Sequence, residues 1–272
     1  MEFSKISGTG NDFILIDNRE ALVAKEAMPD FVRCVCRRAV SVGADGVIFI
    51  EKHPELDFAW NFYNSDGGEA EMCGNGARCA ARFAYERGIA GKSMKFLTGA
   101  GVIEGHITGD GIAKVLLTKA HGFREFHFDI EGESFKGLFI NTGVPHAVIP
   151  CDDVEAVEVP KTGALVRYAK EFAPAGANAN FVQKTGDHEL VIRTYERGVE
   201  NETLACGTGC VAAALTLAEK GIVKAPVELK VRSGEKLRVD FSPESPIDGD
   251  AWLEGAVHWI YDGVFKDALC LK

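Results

Sequence analysis

Residues 72–88 read MCGNGARCAARFAYERG, and residues 205–221 read ACGTGCVAAALTLAEKG. With Cys73 set over Cys206 the two run for 16 residues without a gap and share 7 of them: the cysteine, two early glycines, an Ala-Ala pair, a glutamate and a closing glycine. Each copy has a Cys-Gly-x-Gly loop opening an alanine-rich helix, and ends on a glycine suited to the position just past a helix C-terminus. Two copies imply an internal duplication. The expected fold is α/β (α+β) with two similar domains, each a mostly antiparallel β-sheet or barrel wrapped around one central helix. A cleft between such halves is the expected place for the active site.

Outward from the first copy, alternating runs predict strands at 1–17 (broken at the turn GTGND), 47–51, 56–63, 93–97, 101–108 and 112–118, with a helix over 29–40. Around 119–126 the pattern restarts. Strands are expected at 127–130, 135–141, 144–149, 178–184, 190–195, 227–231, 237–241 and 251–261, with a helix over 161–172. No Pro/Ser-rich linker divides the halves. The expected domains are 1–118 and 119–261, with the tail 262–272 returning to the first.

The whole chain limits the function classes. At 272 residues and 46% hydrophobic it can bury a large core. Its formal charge of −10, with no basic patch, argues against nucleic acid as a partner. No apolar run approaches a bilayer span, and the opening MEFSKISGTGND has no basic-then-apolar leader, so no membrane partner is expected and the cytoplasm is the expected location. The eight cysteines include no C-x-x-C pair and no histidine at finger-like spacing, so no metal site is expected. Cys34, Cys36, Cys151 and Cys270 read as small buried hydrophobes, and Cys79 and Cys210 as core positions of the two helices.

The chemistry follows from the repeated loop. A cysteine there sits beside unpaired backbone N–H groups at the positive end of a helix dipole. That setting lowers a thiol from its ordinary value of about 8.5 and also holds a carboxylate. If Cys73 and Cys206 flank one carbon, one thiolate removes a proton while the opposite thiol returns one, and the stereocentre inverts. Such acid–base catalysis contributes on the order of 10²–10⁴-fold; the N–H groups of the two helix ends would stabilise the developing charge. The plain alternative is a pair of tight turns with cysteine as filler. Asn11 on the GTGND turn and the 64–66 turn before Cys73 offer further polar groups, and Glu196 and Arg197 precede the second helix.

These stretches resemble the diaminopimelate epimerase family nearly end to end: GTGNDF, GADG, NSDGGEAEMCGNGARC, NTGVPHAV, NANFV and YERGVENETLACGTGC. The related proline racemases usually carry a histidine after the first Cys-Gly, where this chain has Asn75. The resemblance implies a cofactor-independent, two-base epimerase of lysine biosynthesis, acting on LL-2,6-diaminopimelate, with Cys73 and Cys206 as its bases. It implies that backbone N–H groups of Gly74, Asn75, Gly207 and Thr208 hold the carboxylate at the reacting centre. Asn64, Glu196 and the Arg197 backbone match the groups on its ammonium, and Asn11, Asn64, Asn178 and the Arg197 side chain match readers of the distal end. It also implies a homodimer, and makes His146 a candidate supporting group near the thiols.

Two positions depart from the family pattern. Gly46 stands where a glutamine can occur, and Val144 replaces the asparagine of a common Asn-Pro-His segment. Two other readings stay open: a racemase of histidine or another amino acid using the same cysteines, and a thiol redox or metal-binding protein using them as a switch.

Overall fold

The computed structural model describes residues 1–266. The chain divides into two compact units, Met1–Val115 with the chain from Gly255 onward, and Leu116–Glu254. In the first lie β1 (Glu2–Gly8), β2 (Asn11–Asp17), α1 (Met28–Val35), β3 (Gly46–Glu51), β4 (Phe58–Asn64), α2 (Gly74–Glu86), β5 (Ser93–Thr98), β6 (Gly101–Gly109) and β7 (Ile112–Leu116). Then follow β8 (His121–Ile130), β9 (Glu133–Asn141), β10 (Pro145–Pro150), α3 (Val159–Arg167), β11 (Asn178–Gly186), β12 (Glu189–Glu196), β13 (Asn201–Thr203), α4 (Gly207–Glu219), β14 (Val227–Lys230), β15 (Lys236–Phe241), β16 (Ala251–Ala256) and β17 (His258–Val264).

The two units repeat one pairing scheme. In the first, β1 runs antiparallel to β2, β2 parallel to β3, β3 antiparallel to β4, β4 parallel to β5, and β5 antiparallel to β6. In the second, β9, β10, β11, β12, β14 and β15 follow the same alternation. A helix bridges each parallel step, as a crossover requires: α1 and α2 in one unit, α3 and α4 in the other. The fold is therefore mixed α/β with mostly antiparallel sheet in two similar domains.

Each second helix is central. Ten of the thirteen residues of α2 are buried, and ten of the thirteen of α4. A helix buried on all sides is a core element rather than a surface one. Alanine and glycine let strands approach it closely: a Cβ on Gly105 would stand 3.4 Å from that of Ala81, and one on Gly8 2.8 Å from Cys79 Sγ. The shorter helices cover the outer faces, with Phe31 and Val32 of α1 packed on Ile14, Val47 and Phe49, and Val159 and Val166 of α3 packed on Ala179 and Phe181.

Several boundaries differ from the sequence expectation. The helix expected over 29–40 ends at Val35: the C=O groups of Val35 and Cys36 accept from Gly43 and Ala44 N–H at 2.9 and 3.2 Å, and Ala39 adopts a left-handed φ of 63° in the turn between. The helix expected over 161–172 stops at Arg167, with a separate short turn at Lys170–Phe172. The single strand expected over 251–261 is two strands, broken at Val257, whose N–H bonds to Gly111 C=O at 2.8 Å. β17 pairs antiparallel with β1, Phe3 opposite Gly263, so the return to the first unit precedes the expected residue 262. Residues 267–272 of that tail, Cys270 included, lie outside the described residues. Cys34, read as a buried hydrophobe, is half-buried. Among the described residues no helix is long and apolar enough to cross a membrane.

Candidate active site

In the first unit Cys73 is the residue before α2, with extended backbone (φ −145°, ψ 120°), and its Sγ accepts from Gly76 N–H at 3.5 Å. The first intrahelical bond runs from Ala77 N–H to Cys73 C=O at 2.8 Å. The N–H groups of Gly74 and Asn75 precede it and are available to an anion. Cys73 is half-buried, while Gly74 and Asn75 are buried. The Asn75 side chain turns away from the thiol, and its Nδ2 donates to Asn11 Oδ1 at 2.8 Å. Asn11, at the start of β2, donates to Asp45 Oδ2 at 3.1 Å. Asn64 is exposed at the end of β4, on a tight turn closed by Gly67 N–H to its C=O. The next residue, Ser65, donates its N–H to Asp45 C=O at 2.9 Å, which ties this turn to Asn11's partner.

In the second unit Cys206 holds the equivalent place before α4 (φ −125°, ψ 106°), but it is only 7% exposed and no side-chain bond caps the helix. Its Sγ meets Thr208 Oγ1 at 3.5 Å. Thr208 Oγ1 meets His146 Nε2 at 3.0 Å, and His146 Nδ1 meets Asn180 Nδ2 at 3.1 Å. Asn180 Nδ2 also donates to Ala147 C=O, while Thr194 Oγ1 donates to Asn180 Oδ1. These partners fix the Asn180 amide, so His146 Nδ1 accepts and Nε2 carries the proton. His146 therefore donates to Thr208, and the Thr208 hydroxyl is left to donate to sulfur.

Burial sets the charges here. It pushes the His146 imidazole down to about 3, helped by the Arg197 guanidinium, so His146 is neutral. It also pushes the Cys206 thiol well above the ordinary thiol value, with the Glu196 carboxylate acting the same way. The helix end was expected to favour thiolate at both cysteines. At Cys206 desolvation and a neighbouring carboxylate outweigh it. Glu196 is anchored by Thr203 Oγ1 at 2.9 Å. Asn178 Oδ1 accepts from Arg197 N–H at 2.7 Å, and its Nδ2 donates to Pro145 C=O at 3.3 Å. The second unit thus brings His146, Cys206 and Thr208 together on one hydrogen-bonded line, places the Glu196 charge where it disfavours the thiolate, and joins Asn178 to Arg197; Gly207 opens α4 beside them.

The family model for diaminopimelate epimerase matches residues 3–121 and 138–245. The chain is 49% identical to the diaminopimelate epimerase of Aquifex aeolicus, with 97% of each chain covered. It is 46% identical to that of Hydrogenobaculum sp., covering 98% of this chain and 99% of that one. This chain belongs to the diaminopimelate epimerase family. A solved hydroxyproline epimerase from Agrobacterium vitis has the same fold, with a TM-score of 0.71 at 14% identity over 97% of this chain and 91% of that one.

One departure from the family pattern has a packing reason. At Gly46 a Cβ would stand 2.5 Å from Tyr63 C=O and 2.9 Å from Phe62 Cε2. As the chain is packed, no side chain fits there. The structure also adds residues that the sequence reading passed over. Asn180 shares a strand face with Asn178, two positions away, so the N-A-N spacing was its signal. Arg78 is a charge in the middle of an apolar helix, which is itself unusual. Thr194 and Asp45 had no local signal.

Proposed function

We propose that this member of the family interconverts LL- and meso-diaminopimelate by proton transfer at one stereocentre between Cys73 and Cys206. The observation that carries the reading is the pair of cysteines at equivalent helix starts in differing surroundings. Cys206 is buried beside Glu196 and favours the protonated thiol, whereas Cys73 is half-buried with a helix N–H on its sulfur. In one direction the Cys73 thiolate takes the Cα proton, and the Cys206 thiol delivers its own to the opposite face and becomes the thiolate. The reverse direction exchanges the roles. In this reading the two sulfur atoms carry both proton transfers.

The N–H groups of Gly74, Asn75, Gly207 and Thr208 would hold the carboxylate at the reacting carbon, where a helix end gives charge stabilisation without reorganisation. Asn64, Glu196 and the Arg197 backbone would take its ammonium, and Asn11, Asn64, Asn178 and the Arg197 side chain the distal end. A zwitterionic substrate needs such partners, because a charge removed from water without one is costly. A homodimer acting in the cytoplasm on a free amino acid completes the reading; sedimentation would test the dimer.

The test is deuterium exchange at Cα, followed by NMR, with diaminopimelate in D₂O. Wash-in with inversion supports the proposal. Exchange from histidine but not from diaminopimelate would keep the mechanism and change the substrate. Inertness toward both, with thiols that cycle on oxidation, would favour a redox switch.

A further inference from the structure

Arg78 is the one charged side chain of the first unit's central helix that is fully buried. Its guanidinium donates to Ala256 C=O and Thr9 Oγ1, each at 3.1 Å, and to Asn75 Oδ1 at 2.6 Å. A guanidinium can only donate. Asn75 must therefore give it the oxygen, which leaves Nδ2 to face Asn11 Oδ1 at 2.8 Å. Asn11 then turns its own Nδ2 to Asp45 Oδ2 at 3.1 Å. An ionised carboxylate can only accept, and Asp45 is held by Arg38 at 2.8 Å. The line Arg78–Asn75–Asn11–Asp45 thus has one direction. Flipping both amides would set donor against donor at Arg78 and acceptor against acceptor at Asp45.

The Arg78 end is braced as well. Thr9 is fully buried and has a left-handed φ of 54°, an outlier for a β-branched residue that persists only when its surroundings impose it. Its hydroxyl lies on the same guanidinium.

We propose that Arg78 and Asp45 are positioning residues for substrate recognition: together they fix the Asn11 carboxamide with its oxygen turned inward and one Nδ2–H left to present. Asn11 is half-buried and in this arrangement offers a donor. It selects an acceptor, such as a carboxylate oxygen of the amino-acid substrate, and disfavours an ammonium at that place. The inference rests on the reading above, in which Asn11 touches substrate.

A double-mutant cycle separates positioning from simple structural support. KM and kcat are measured for wild type, Arg78→Lys and Asp45→Asn, and for each change again in an Asn11→Ala background. Expected is a rise in KM of about tenfold, the scale of one charge-assisted hydrogen bond, with kcat nearly unchanged. In the Asn11→Ala background the same changes should move KM less than twofold. Equal shifts in both backgrounds, or a fall in kcat alone, would overturn the proposal. Should Arg78→Lys fail to fold, Asp45→Asn decides from the exposed end of the line. The Asn11 side-chain amide resonance, assigned by its loss in Asn11→Ala, gives a readout without turnover. It should move in both variants though Arg78 does not touch it, and an unmoved signal would overturn the proposal. An inert wild type would sink the assignment of substrate, while the amide resonance would still settle the orientation of Asn11.

Discussion

The two halves share a strand scheme and a Cys-Gly-x-Gly helix start, yet they treat the third residue of that loop differently. In the first half this residue is Asn75, whose side chain turns inward to Asn11 and Arg78 and leaves the Cys73 sulfur to the Gly76 N–H. In the second it is Thr208, whose hydroxyl lies between His146 and the Cys206 sulfur. The duplicated backbone therefore supplies two like helix starts, and the residues around each set the surroundings of its thiol. A helix dipole is worth about 0.3–1 kcal/mol at an exposed end; desolvation of a buried thiol is larger, and at Cys206 it wins.

The largest test removes one sulfur at a time. Cys73→Ala and Cys206→Ala should each lower epimerisation by on the order of 10³-fold, the scale of general acid–base catalysis. The surviving cysteine can still remove and return a proton on its own face. Each variant should therefore exchange Cα hydrogen of one diastereomer for deuterium without inverting it, and the two variants should differ in which one. Exchange of both diastereomers by a single-cysteine variant would break the assignment of one face to each half.

Next in size is a pH effect confined to the second half. His146 is held near 3 in the folded chain against an ordinary value of about 6.5. Between those values the unfolded chain binds one more proton, so His146 contributes stability that is complete above about pH 6.5 and is lost as pH falls toward 3, by up to about 1.4 kcal/mol per pH unit. His146→Gln should be less stable than wild type at pH 7 and should lose stability less steeply on acidification. Urea denaturation from pH 7 to pH 4 measures both curves; parallel curves would mean that the imidazole is not held neutral.

Much of this was legible in the residues, and the reason it was legible is locality. The repeated 16-residue stretch carries its cap, its helix and its closing glycine within itself, so the duplication and the two cysteines could be read without tertiary knowledge. The return of β17 to β1 depends on pairing across more than 250 residues, and nothing within HWIYDGV states its partner. The same holds for His146, whose tautomer is set by Asn180 and, through it, Thr194 on another strand. The environment of Cys206 is the instructive miss, since the local signal for a lowered thiol was present and burial by the rest of the unit reversed it.

Glycines at the same place in the two helices give a steric form of the comparison. A Cβ on Gly209 would stand 2.3 Å from Asn180 Oδ1, within the line that orients His146. A Cβ on Gly76 would meet Ile48 Cδ1 at 3.3 Å, the end of a flexible side chain. Overpacking costs typically about 1–3 kcal/mol, whereas Gly→Ala within a helix gains roughly 0.5–1 kcal/mol. Gly209→Ala should lower the Tm by several degrees, and Gly76→Ala should leave it near the wild-type value. Equal losses would show that Asn180 has room to move.

The smallest expected effect isolates the hydroxyl on which the halves differ. Thr208→Val keeps the shape and the backbone N–H but takes away the donor that His146 turns toward Cys206 Sγ. Because Asn180 makes Nδ1 of His146 an acceptor, the Nε2–H would then lack its oxygen and the Cys206 thiolate would lack a hydrogen bond. One such bond is worth about 1 kcal/mol, so kcat should fall by roughly five- to tenfold in the direction where Cys206 is the base, and alkylation of Cys206 should require higher pH. Asn75→Leu, at the equivalent place in the first half, should leave the pH dependence of Cys73 alkylation unchanged, because that side chain points to Asn11 and Arg78 instead of to sulfur. If the two substitutions shift their cysteines alike, the asymmetry lies in the overall burial of each thiol, and the hydrogen-bonded line through His146 serves packing alone.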